Sequence, residues 1–135
     1  MKVSYVPVEA VNRVWPSVER FISDGLSHSH GEYNAEHAKV YVTTGAWKLL
    51  VAADENGEVL GACTVEFFNR PNDRVAFITA IGGRLISNKD TFRQLGDVLR
   101  YFGATKIEGS ARESIARLWK RYGFAEKYRI VEVSL

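Results

Sequence analysis

The apolar residues near the start of the chain are spaced as a short strand followed by a helix. Lys2 to Val6 is predicted to be a strand that stops at Pro7. Between Val8 and about Ile22 apolar residues recur at helical spacing, and Pro16 is expected to kink or restart this helix. Asp24-Gly25 is expected to end it.

The middle of the chain changes from helical to strand spacing. An exposed polar loop over 27–34 and a second helix from Ala35 to Val42 are followed by strand-like runs from Trp47 to Ala53 and from Glu58 to Phe68. The segment Asp54-Glu55-Asn56-Gly57 separates these runs. Because Asn-Gly favours a tight turn, we expect the two strands to form an antiparallel hairpin.

Strands and helices alternate in the second half of the chain. The run from Arg74 to Ile81 is apolar on both alternating faces, which is typical of an interior strand covered on both sides. A helix is predicted to start with a capping side chain within 87–90 and to stop at Gly103. A short strand at 106–109 comes next.

The end of the chain is predicted to add one more helix and one more strand. Ser110-Ala111-Arg112-Glu113 has the spacing of a capping box, and the helix it opens runs to Tyr122 before Gly123. Phe124 to Leu135 is predicted to be the final strand. The element order β-α-α-β-β-β-α-β-α-β indicates a single α/β domain with a mixed sheet, antiparallel in the middle and parallel later, flanked by helices.

Composition narrows the class of protein. The 135 residues suit one domain, and 46% hydrophobic with 25% charged residues is an ordinary globular balance. No apolar run is long enough to cross a bilayer, and the start lacks the apolar core of a signal peptide. The single cysteine, Cys63, cannot form an internal disulfide, so a cytoplasmic location is expected.

Charge is distributed unevenly along the chain. Residues 1–73 hold 6 basic and 10 acidic side chains, whereas residues 74–135 hold 12 and 6. The basic half is suited to an anionic ligand, although a solvated basic face explains it equally well. Nucleic-acid binding is not favoured, because the aromatic residues of the last helix lie on its core stripe.

The element order and the last third of the chain resemble the GNAT (Gcn5-related N-acetyltransferase) family. The segment from Ser110 to Phe124 is similar to the family's C-terminal signature, in which a small polar residue opens a helix that ends near Gly-Phe. Phe102-Gly103-Ala104-Thr105-Lys106-Ile107 is similar to its lead into the fifth strand. Gly82-Gly83 and the segment 107–112 look most like the short, divergent members encoded by tailed bacteriophages.

The resemblance implies acetyl-CoA as acyl donor, bound at the loop between the central strand and the next helix. Helix N-termini and backbone amides suit pyrophosphate. The family's loop usually reads Q/R-x-x-G-x-G/A, a spacing that the corresponding segment 81–88 lacks, so a plain strand-to-helix turn is the alternative. The implied donor contacts are Ile78, Ala80, Ile81, Gly82, Gly83, Arg84, Ser87, Asn88 and Ser110, although Ser110 also suits a capping role.

Three residues are candidates for catalysis. Trp119 stands at the position where the family has a tyrosine near the CoA sulfur, and Tyr122 lies one turn on. An indole N–H donates a hydrogen bond but is no acid near neutral pH, and both residues also suit the buried face of the helix. Glu66, a carboxylate in an apolar strand, is the preferred general base, with partial burial expected to raise its pKa. A solvent-facing strand end is the alternative.

The loop between the first two helices would face the acceptor in the resemblance. His28, His30, Glu32 and Tyr33 are the implied substrate contacts. These histidines and the nearby His37 also raise the question of zinc, but histidines two apart in an irregular loop lack a fixed geometry, so no metal is assigned.

Two functions follow from the resemblance. The first is transfer of an acetyl group from acetyl-CoA to an amine, either of a small molecule or of a peptide. The alternative is a non-catalytic protein of the same fold, such as a phage structural or host-interaction module with a protein partner. A homodimer is compatible with either function.

Overall fold

The computed structural model describes all 135 residues and places five strands in one sheet between two layers of helices. Two short 3-10 turns, Val8–Ala10 and Lys120–Tyr122, adjoin the first and last helices. The strands are β1 (Lys2–Val6), β2 (Lys48–Ala53), β3 (Val59–Asn69), β4 (Arg74–Gly83) and β5 (Lys106–Gly109). The helices are α1 (Val11–Leu26), α2 (Ala35–Thr44), α3 (Lys89–Tyr101) and α4 (Glu113–Trp119).

The strands lie side by side in chain order, and the predicted mixed sheet is confirmed. The first four pair antiparallel, whereas β4 and β5 pair parallel, with α3 as the crossover between them. The predicted hairpin joins β2 to β3. Its turn is held by the Asp54 carboxylate, which accepts from the amides of Asn56 and Glu58, while Gly57 takes φ +81°.

Each face of the sheet carries its own hydrophobic core. The helices α1 and α2 cover one face, where Trp15, Val18, Ile22 and Val42 pack on Leu49. The other face is covered by α3 and α4, whose buried residues pack on the opposite side chains of β2, β3 and β4. The central members of that second core are Leu50, Cys63, Val65, Ala76, Ile78, Leu95, Leu99 and Trp119.

The predicted end of the first helix is wrong, because α1 continues through Asp24 and Gly25 to Leu26. A Cβ at Gly25 would lie 2.5 Å from the Ile81 carbonyl oxygen. The glycine therefore allows α1 to approach β4 closely and does not act as a helix terminator. Pro16 lies within the same helix, so the helix does not restart there.

Two predictions for the end of the chain are also wrong. The helix α4 begins at Glu113 after Arg112, without a side-chain cap, so the capping box expected at Ser110 does not form. No strand forms after Phe124, and residues 125–135 are exposed. Their backbone groups make no hydrogen bonds with the protein. An alternating pattern indicates a local preference for a strand, but it does not supply the second strand that the backbone groups must pair with.

Candidate functional site

A β-bulge in β4 is the first feature of the site. Thr64 pairs with Ala80 and Val65 with Ile78, which leaves Thr79 as an extra residue in β4. The Thr79 hydroxyl donates to the Thr64 carbonyl at 3.0 Å, so the buried Thr64 hydroxyl donates in turn to Thr79 Oγ1 at 2.7 Å. This pair of hydroxyls holds the bulge in place.

The strands β4 and β5 part at the bulge. Their parallel pairing ends at Ile78 with Gly109, so the β5-facing edge of β4 over 79–83 has no strand partner. Trp119 lies beside this end, since a Cβ at Gly109 would meet its ring at 3.3 Å. The β5-facing backbone groups of β4 over 79–83 therefore have no strand beside them, and an aromatic side chain lies where the two strands separate.

The loop from β4 into α3 leaves a run of amides free. The amides of Ser87, Asn88, Lys89 and Asp90 have no acceptor within the protein, whereas the amide of Arg84 donates to the Leu60 carbonyl. The Asn88 side chain caps α3 by accepting from the Thr91 amide at 2.8 Å. Unpaired amides at the start of a 13-residue helix can bind an anion.

The two glycines of this loop serve packing. A Cβ at Gly82 would lie 2.2 Å from the Phe21 carbonyl oxygen, and one at Gly83 would lie 2.4 Å from that of Leu60. These positions press against α1 and β3, so the glycines bring the loop close to its neighbours. The Arg84 side chain is exposed and makes no ion pair within the protein.

Glu66 lies half-buried in β3, at the edge of an aromatic pocket of about 270 Å³. Its Oε2 accepts from the indole N–H of Trp47 at 3.2 Å. Tyr33, Tyr41 and Ala46 complete the lining. The structure thus brings together two residues that the sequence singles out, Glu66 and Tyr33, with three that it does not.

A second carboxylate lies in the same row across the sheet. Phe77 of β4 pairs with Glu66 on one side and with Glu108 of β5 on the other. Arg70 hydrogen-bonds both oxygens of Glu108, and this contact, followed by one from Lys127, holds the pKa of Glu108 below its usual value. Glu108 is therefore an ionised structural partner, which leaves Glu66 as the carboxylate with an oxygen to spare.

The remaining predicted catalytic and donor-binding residues lie around α4. Trp119 is buried against Phe124, at 5.0 Å between ring centroids, and Tyr122 packs on Phe92 at 5.2 Å. Neither side chain makes a hydrogen bond within the protein. Ser110 is exposed in the segment between β5 and α4.

The polar residues of the α1–α2 loop are spread out. His28 and His30 are exposed, and Glu32 accepts from the His30 amide at 2.8 Å. A hydrogen bond to its own backbone amide is the main cause that lowers the pKa of Glu32. His37 completes a capping box with Asn34 at the start of α2. No three His, Cys, Asp or Glu side chains come together as metal ligands do.

No protein-family model and no curated protein sequence matches the chain. Solved structures do match its fold over its whole length. A probable acetyltransferase superposes with a TM-score of 0.67 at 14% identity, covering 100% of this chain and 97% of that one. A ribosomal-protein-alanine N-acetyltransferase from Brucella melitensis biovar Abortus 2308 gives 0.68 at 12% identity, with 100% of both chains covered.

A third similar structure is an aminoglycoside acetyltransferase from an uncultured soil metagenomic sample, in complex with sisomicin. Its TM-score is 0.69 at 13% identity, and 99% of this chain and 95% of that one are covered. No helix of the present protein has the length and apolar character needed to cross a membrane. These superpositions show that the chain has the fold of the GNAT-type acetyltransferases.

Proposed function

We propose that this protein is an N-acetyltransferase that transfers an acetyl group from acetyl-CoA to an amine. The observation that carries the proposal is the parting of β4 from β5 at the Thr79 bulge, directly before a loop with free amides. A cleft between two strands admits an extended thiol-bearing arm, and free amides at a helix start suit its pyrophosphate. The three similar structures support the same activity, since each is described as an acetyltransferase.

In this proposal the donor is held mainly by backbone groups. The amides of 87–90 donate to the pyrophosphate, and the exposed guanidinium of Arg84 adds a charge-assisted contact. The Asp90 carboxylate, which would repel an anion, is already paired with Arg93 and Gln94. Gly82 and Gly83 contribute indirectly, by letting the loop lie close to α1 and β3.

The chemistry is an acyl transfer with Glu66 as the base. Glu66 accepts a proton from the acceptor amine, the amine nitrogen forms a bond to the acetyl carbon, and the carbon–sulfur bond breaks. Backbone amides of β4 that face away from β3, beyond the last pairing with β5 at Ile78, donate to the carbonyl oxygen as it gains charge. After the attack the nitrogen still carries one proton more than the amide product, and it passes this proton to the departing thiolate. A thiol has a pKa of roughly 8.5, so no separate strong acid is needed, and Trp119 and Tyr122 act only as neighbours of the sulfur.

Titration calorimetry with acetyl-CoA tests the donor site. We expect micromolar binding that weakens by about tenfold or more in Arg84→Glu and in Asn88→Asp, because both add negative charge beside the pyrophosphate while Asp still caps a helix. Arg121→Glu is the matched control, since Arg121 is also exposed and has no ion pair. Absence of binding at millimolar acetyl-CoA would overturn the proposal and turn the search to protein partners.

Release of CoA thiol in the presence of a panel of amines tests the reaction. We expect Glu66→Gln to lose most of the turnover while keeping the affinity for acetyl-CoA, because the amide keeps the shape but cannot take the proton. Turnover that survives this change would remove Glu66 from the mechanism. The panel includes peptides with a free N-terminus and aminoglycosides, the two acceptor types suggested by the similar structures.

A further inference from the structure

The pocket beside Glu66 is built mainly from aromatic rings. The ring of Tyr41 stacks on Trp47, with centroids 4.6 Å apart and planes at 28°. Tyr33 stands edge-on to both, at 5.0 Å from Trp47 and 5.9 Å from Tyr41. Trp47 is buried, whereas Tyr33 and Tyr41 remain 37% and 36% exposed and present ring surface to the opening. A ligand in the pocket therefore meets aromatic surface and one carboxylate.

The carboxylate has capacity for a further partner. Glu66 Oε2 accepts from Trp47, and no group of the protein donates to its Oε1. The Trp47 contact fixes the carboxylate at the pocket wall, so Oε1 is available to a donor that enters. A negative oxygen and the electron-rich faces of aromatic rings both favour a positive charge and disfavour an anion.

The size of the pocket favours a small group. Its volume of about 270 Å³ falls below the ~300–1,000 Å³ range of sites that enclose whole drug-sized ligands. It suits the charged end of a molecule, with the rest extending outward past Tyr33. An aliphatic amine is protonated at neutral pH, with a pKa near 10.4 for a lysine-like group, so it arrives in the charged form that these walls favour.

We propose that the pocket formed by Tyr33, Tyr41, Trp47 and Glu66 binds an organic ammonium group. If the protein is the acetyltransferase proposed above, the ammonium group belongs to the acceptor. Only this identification of the ligand rests on the proposed function. The acceptor is then an aliphatic amine that docks as a cation and passes a proton to Glu66. Weakly basic aromatic amines, which are neutral at pH 7, lack the charge that the pocket recognises.

Choline and its uncharged analogue 3,3-dimethylbutan-1-ol test the pocket without any acyl donor. The two probes share shape and hydroxyl and differ in charge, so calorimetry at constant ionic strength isolates the cation. We expect choline to bind about three- to thirtyfold more tightly, which is the range that cation–π contacts support. Equal affinity for the two probes, or no choline binding at 100 mM, would overturn the inference.

Ring variants locate the binding. Tyr33→Leu and Tyr41→Leu are expected to weaken choline binding severalfold, whereas Tyr33→Phe and Tyr41→Phe keep the ring and the affinity. Tyr128→Leu is the control, because Tyr128 is an exposed tyrosine of the C-terminal segment. Circular dichroism and melting curves show whether each variant is folded. Unchanged choline binding in folded Leu variants would place the cation elsewhere and contradict the inference.

The outcome is separable from that of the donor experiment. Choline binding without acetyl-CoA binding would keep the cation site and remove the proposed transferase. Acetyl-CoA binding without choline binding would keep the transferase and remove the cation site. When both bind, choline is expected to inhibit acetylation of an aliphatic amine competitively, and non-competitive inhibition would separate the pocket from the acceptor.

Discussion

Two helical glycines give opposite expectations when each is replaced by alanine. Gly25 lies in α1 and Gly96 in α3. Helix propensity alone predicts that alanine stabilises at either position, by up to about 1 kcal/mol. Their surroundings differ, because Gly25 faces the backbone of β4 and Gly96 faces the side chain of Arg100.

The contact distances determine the expected change in the free energy of unfolding. A Cβ at Gly25 would lie 2.5 Å from the oxygen and 2.9 Å from the nitrogen of Ile81, whereas ordinary contacts begin at 3.4 Å. The helix must therefore move away from β4 by roughly 0.9 Å, and such overpacking costs about 1–3 kcal/mol. At Gly96 the nearest atom, 3.1 Å away, belongs to the end of the Arg100 side chain, which is 70% exposed and can turn aside.

We therefore expect Gly25→Ala to lower the free energy of unfolding by about 1–2 kcal/mol and Gly96→Ala to raise it by about 0.5–1 kcal/mol. Urea unfolding followed by circular dichroism measures both, and the shifts in melting temperature should be roughly 3–5 °C per kcal/mol. Stabilisation of Gly25→Ala by as much as Gly96→Ala would refute the close contact of α1 with β4. Weaker acetyl-CoA binding in Gly25→Ala alone would link that contact to the loop.

Three further outcomes are expected. Replacing Thr79 by Val leaves the buried Thr64 hydroxyl without a partner and should cost about 1–3 kcal/mol of unfolding free energy, while the double variant with Thr64→Val recovers part of it. Because Arg70 lowers the pKa of Glu108, the ionised Glu108 carboxylate stabilises the fold above the ordinary carboxyl pKa, and this stabilisation is lost as the pH falls through the folded value. In urea unfolding, Glu108→Gln should therefore have a lower free energy of unfolding than the wild type at pH 7 and a similar one in acid. Amides of 125–135 should exchange with deuterium at nearly the rate of an unfolded chain, and protection of alternate residues there would instead indicate a strand paired with another chain.

Short sequence patterns are sufficient to predict most of the sheet. Asn56-Gly57 between two apolar runs predicts the β2–β3 hairpin because the turn is decided by the residues within it. The two apolar faces of 74–81 predict an interior strand for a similar reason, since burial on both sides leaves no polar face. The parallel pairing of β4 with β5 follows from the helix between them.

Long-range contacts account for the errors. Gly25 reads as a helix terminator in the sequence, but its function depends on the position of Ile81, 56 residues later. The alternation in 124–135 predicts a strand from local preference alone, and the prediction is wrong because this segment pairs with neither edge of the sheet. The same limit hides the pocket, because Trp47 and Tyr41 read as ordinary core aromatics until α2 and β3 bring them to Glu66.

The absence of the Q/R-x-x-G-x-G/A spacing is weak evidence against a pyrophosphate site, because of how the loop is folded. The two glycines that depart from that pattern lie against Phe21 and Leu60, where they permit close packing, and their positions say little about phosphate. The amides able to hold an anion come four to eight residues later, at 87–90, and a backbone amide is available whatever side chain it carries. An anion site made of amides is therefore compatible with a divergent sequence, provided that the bulge at Thr79 and the Asn88 cap keep the loop and α3 in place.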